Sequence, residues 1–143
     1  MEEAARRRLE GLRPSWKREW GTLLRAEPTL SPLGYPDTLV FLMDETISSL
    51  LRALRPRPST HARADRHSLR TPLQRDCACG LNPLLNYYAT GEVALRAVAA
   101  PALGAVLDEA LAGYHRLAQR EIDTLCAVCR LRAPTGCAAS EVP

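Results

Sequence analysis

The segment from residue 76 to residue 132 reads DCACGLNPLLNYYATGEVALRAVAAPALGAVLDEALAGYHRLAQREIDTLCAVCRLR. Cys77 and Cys79 stand at one end and Cys126 and Cys129 at the other, with two helical runs between them. The runs are separated by Pro101-Ala102-Leu103-Gly104, where Pro and Gly interrupt the helical pattern together. Cys79 precedes Pro101 by 22 residues (101 − 79), and Gly104 precedes Cys126 by 22 (126 − 104). At ~1.5 Å per residue each arm is about 33 Å long. A reversal at the break therefore returns the second cysteine pair to the level of the first, and four thiols come within reach of one ion. A kinked but continuous helix through Pro101 would hold the pairs tens of ångströms apart.

Four thiolates converging tetrahedrally suit zinc, at ~2.3 Å per sulfur, or an iron–sulfur cluster. Cys126 and Cys129 are three apart on a helix and share a face. Cys77 and Cys79 fall in a loop ahead of a helix start, where Gly80 lets the chain curl and the first backbone amides can donate to sulfur. A C-x-C joined to a C-x-x-C across 47 residues (126 − 79) is looser than two C-x-x-C knuckles. The symmetry about the break is what raises the metal reading above its rivals, which are small buried hydrophobes or surface thiols and a redox dithiol.

Sharper chemistries fail on the residues. Arg130, not His, follows Cys129, so the c-type haem attachment pattern is absent. The C-x-x-C ends a helix instead of opening one, opposite to the dipole arrangement that activates a thioredoxin-like thiol. No Glu-x-x-His pair, phosphate-cradling glycine loop or nucleophile elbow occurs. His61 and His67 could add imidazole ligands from a polar loop, but such histidines are more often only solvated. His115 reads as a boundary residue, and Cys137 as a spare thiol in the tail.

A length of 143 residues bounds one domain with a single core. Apolar residues make up 46% of the chain but aromatic ones only 5%, which predicts an aliphatic, helical core of Leu, Ala and Val. A net charge of +3 is too modest to imply nucleic acid by itself. Met1 to Arg8 is charged with no apolar run after it, and the longest apolar run, Thr38 to Met43, is too short for a bilayer. The expectation is a cytoplasmic protein with no membrane contact, whose thiols stay reduced unless they bind metal or do redox chemistry.

Along the rest of the chain, Leu9, Leu12, Trp16, Trp20 and Leu23 fall at helical spacing. Pro14 splits this run into a short leading helix ending near Leu12 and a second helix opening with the proline. Both tryptophans read as core anchors. Pro28, Pro32 and Pro36 mark a loop. A second helix from Pro36-Asp37 to about Leu54 carries a stripe of Leu39, Met43, Thr46, Ile47, Leu50 and Leu54, widened by Val40, Phe41 and Leu51. Asp44 and Glu45 lie on its polar side. Residues 55–76 hold three prolines and six arginines against two aspartates, a local charge of +4 (6 − 2), and read as a flexible basic loop. Asn82-Pro83 opens the third helix, in which Gly91 is either an interruption or a close-approach contact. The fourth helix is expected from about Ala102 to Leu131, with Leu103, Leu107, Ala110, Tyr114, Leu117, Glu121, Leu125 and Val128 at three-and-four spacing and only Glu121 failing the apolar rhythm. Residues 133–143 form a frayed tail.

These readings combine into one expectation: an all-α, single-domain four-helix bundle over residues 1–143, with the long basic loop between helices two and three. The expected function is non-enzymatic. A zinc ion held by Cys77, Cys79, Cys126 and Cys129 clamps the loop before helix three to the end of helix four, in a regulatory or sensory protein with a protein partner or a second copy of itself. Two alternatives use other chemistry: an iron–sulfur cluster or thiol switch on the same cysteines, making a redox sensor or electron carrier, or nucleic-acid binding through the arginine loop.

Overall fold

The computed structural model describes residues 1–28, 34–56 and 82–132, with the backbone alone for 129–132. Among the described residues the chain is all-α, 88% helix with no strand. The basic loop from residue 57 onward and the tail from residue 133 lie outside them.

The N-terminal run divides at Leu12 into α1 (Glu3–Gly11) and α2 (Arg13–Ala26), with Pro14 in the first turn of α2. A proline is tolerated there because the first helical N–H groups have no intrahelical partner to lose. The expected second helix is in fact two, α3 (Pro36–Leu39) and α4 (Leu42–Ala53). Val40 and Phe41 keep right-handed helical angles, but the Met43 N–H reaches back only three residues, to Val40 O at 3.3 Å. Thr38, Val40 and Phe41 are weak helix formers, so the local helix yields to packing. Leu39 and Met43 both stay in the core while Phe41 turns outward, 82% exposed, and does not widen the apolar stripe as its spacing suggests.

The hairpin forms from α5 (Pro83–Leu103), a 3₁₀ turn at Gly104–Val106, and α6 (Leu107–Arg132). Pro101 lies in the last turn of α5, so the helix runs past it and α6 starts at Leu107 instead of near Ala102. Gly104 turns the chain with φ +52° and ψ −126°, a conformation essentially closed to residues with a Cβ. The two helices then pack against each other, α2 and α1 cover α5, and α4 lies on α6.

Most buried residues are Leu or Ala, as the composition leads one to expect, but the core also holds an aromatic cluster. Trp16, Trp20, Tyr87, Tyr88 and Tyr114 are all buried, five of the seven aromatic residues in the chain. Trp16 and Trp20 stack at 5.7 Å, Trp20 meets Tyr87 at 4.5 Å, and Tyr88 meets Tyr114 edge-on at 5.8 Å. Their polar ends are spent on α5: Trp16 Nε1 donates to Gly91 O, Trp20 Nε1 to Tyr87 O, and the Tyr114 hydroxyl to Tyr88 O, at 2.9–3.0 Å. Each of these carbonyls has a second lone pair beyond its helical bond. The approach needs Gly91, because a Cβ there would sit 2.1 Å from the Tyr114 hydroxyl and 2.5 Å from Trp20. Gly91 is thus the close-approach contact.

A stretch within Pro83–Val128 is apolar enough, by length and composition, to cross a bilayer. About 33% of that stretch is buried within the protein.

Candidate functional site

Asn82 joins the start of α5 to the far end of α6. Its Oδ1 accepts from the Leu84 N–H at 3.0 Å, the helix cap expected of Asn before Pro. Its amide nitrogen donates across the hairpin to Cys126 Sγ at 3.2 Å and to Ile122 O at 3.4 Å. Both Asn82 and Cys126 are buried. The hairpin therefore returns in register: residue 82, three after Cys79, touches residue 126, three before Cys129.

Of the four cysteines, Cys126 alone has a described side chain. Cys129 lies in the last turn of α6 with only its backbone described, and Cys77 and Cys79 lie outside the described residues, as do His61, His67 and Cys137. Among the described residues no three His, Cys, Asp or Glu side chains come close enough to hold an ion together. The Asn82 N–H gives Cys126 Sγ a donor of the kind found in the outer shell of metal–thiolate sites.

His115 does not approach this end. It faces Glu92 across the hairpin, Nε2 to Oε2 at 3.0 Å, while Arg96 grips the other Glu92 oxygen at 2.8 Å. Burial pushes the Glu92 carboxyl up, but the Arg96 hydrogen bond and the His115 contact outweigh it and hold the group below the usual carboxylate range. Glu92 and Arg96 stand four apart on one helix, a spacing that could have marked a pair not anticipated from the sequence. The His115 partner and the Asn82–Cys126 bond carried no sequence signal, since both depend on how the two helices face each other.

Asp44 tethers α4 to α2. It pairs with Lys17 and Arg13 of α2, and Arg13 also donates to Ser48 at 3.2 Å. The Lys17 hydrogen bond leads burial in setting the Asp44 carboxyl, which lies below its ordinary range.

No protein-family model, curated protein or solved structure matches this chain.

Proposed function

We propose that this chain is a small non-enzymatic metal-binding protein in which zinc, held by Cys77, Cys79, Cys126 and Cys129, ties the start of α5 to the end of α6. In this reading α1–α2, α3–α4, α5 and α6 are the four arms of a helical bundle, and residues 55–76 are a long basic loop between the second and third. The ion would fasten one end of the bundle and present that end to a protein partner or a second copy in a regulatory or sensory role.

The single observation that carries the reading is the 3.2 Å contact between the Asn82 amide and Cys126 Sγ. Three residues of chain span at most about 11 Å, so connectivity alone keeps the Cys79 backbone within that distance of Asn82. Cys129 lies about 4.5 Å farther along α6 than Cys126. The Asn82 N–H also offers sulfur the kind of donor that thiolate sites use.

Elemental analysis of purified protein beside Cys77→Ser, Cys129→Ser and Cys137→Ser tests it. One zinc per chain, lost in the first two variants and kept in the third, is the expected result. Metal-free protein, or zinc retained in Cys77→Ser and Cys129→Ser, contradicts it. Iron with acid-labile sulfide and a brown colour would replace zinc by the cluster alternative.

A further inference from the structure

Between α4 and the α5–α6 hairpin lies an open groove of ≈ 260 Å³. Leu42, Leu84 and Leu117 form its apolar walls, and Thr46 and Tyr88 its floor. Glu45 of α4 and Glu121 of α6 flank it. We propose that this groove binds a small organic ammonium compound whose body is one aromatic ring or a short aliphatic chain.

Three observations support this class of ligand. Leu42 remains 44% exposed, so an apolar body seated on the walls gains burial that the protein alone does not provide. The floor is polar but neutral. Thr46 and Tyr87 share a 2.9 Å hydrogen bond between hydroxyls, the Thr46 hydroxyl also reaches Tyr88, and burial pushes the Tyr88 phenol up to about 12. These hydroxyls keep lone pairs that can accept from a ligand N–H. The rim carries the third observation. Glu45 accepts from the Ser49 hydroxyl at 3.0 Å and pairs with the exposed Arg52 guanidinium at 3.8 Å, and Glu121 pairs with the exposed Arg120 at 3.5 Å. Solvated pairs at such distances are weak and readily exchanged for a ligand cation. The same carboxylates repel an anion of equal shape. The volume suits a ligand near the small end of the usual range.

An amide NMR titration of the full-length protein with 2-phenylethylammonium, and separately with 3-phenylpropanoate, tests the proposal. Saturable shifts at Thr46, Ser49, Leu84, Tyr88 and Glu121 with the amine, at a dissociation constant on the order of 1 mM, are the expected result for so small a probe. The carboxylate probe should leave these amides in place. The double variant Glu45→Gln/Glu121→Gln alters only surface groups, and its fold is checked by circular dichroism. It should bind the amine roughly ten-fold more weakly. No shift in the groove, an equal response to the carboxylate, or undiminished binding by the variant would overturn the proposal.

Discussion

Gly91 is where a single missing methyl group sets the core. The Trp16 indole bonds its carbonyl, and Trp20 and Tyr114 occupy the space its side chain would fill. Gly91→Ala should destabilise the protein by about 2 kcal/mol or more, since backbone and two rigid aromatic groups must move to admit the methyl. Urea denaturation reads this directly, and an unchanged midpoint would refute the close packing. Thr46→Val tests a different force at similar volume. It strands the buried Tyr87 hydroxyl, with an expected cost of about 1–3 kcal/mol. Both positions show what composition conceals. An aromatic content of 5% predicts an aliphatic core, and most buried residues are indeed Leu or Ala, yet five aromatic residues gather on α2, α5 and α6 where those helices meet.

At the scale of the helix, the expected stripe holds along the first half of α6 and drifts off the core in the second. Leu103, Ala110, Tyr114 and Leu117 are buried as expected. The stripe Leu103, Leu107, Ala110, Tyr114, Leu117, Glu121, Leu125, Val128 averages about 3.5 residues per turn, however, and such a stripe drifts about 20° per heptad on a straight helix. The buried positions accordingly advance to Ala118, Ile122 and Cys126, while Val128 is left 42% exposed. On α5, Val93 is exposed and Tyr87 is fully buried. Signals that act within a few residues were legible: the Pro14 break, the Asn82-Pro83 start and the Gly104 reversal. Those that depend on which helix lies opposite were not. The Asn82–Cys126 bond and the Glu92–His115 contact belong to this second kind.

The Glu92 cluster gives the hairpin a pH dependence. Its folded carboxyl lies below the ordinary value, so the unfolded chain takes up the proton first as pH falls. The stabilisation is present above about pH 4.3, the ordinary glutamate value, and is lost as pH drops from there through the lowered folded value. The stability difference between the native protein and Glu92→Gln should therefore shrink in acid denaturation series from pH 6 to pH 3. A difference constant across that range would show that the carboxylate contributes no charge-dependent stability.

For the whole molecule, the two functional proposals make separable demands. Cys126 is one of many members of a core that spans α2, α4, α5 and α6, so removing metal should not unfold the chain as it does a zinc finger. Chelation should leave helical circular dichroism and the buried-tryptophan emission nearly unchanged. Hydrogen exchange should rise at Asn82 and in the last turns of α6. Global loss of helix on chelation would mean that the core is not self-sufficient.

The most direct measurement of the central claim is X-ray absorption at the zinc edge of the protein purified without added metal. The account predicts a first shell of four sulfur atoms at ~2.3 Å. A shell of nitrogen and oxygen near 2.0–2.1 Å, or no zinc signal in a folded protein, would contradict it.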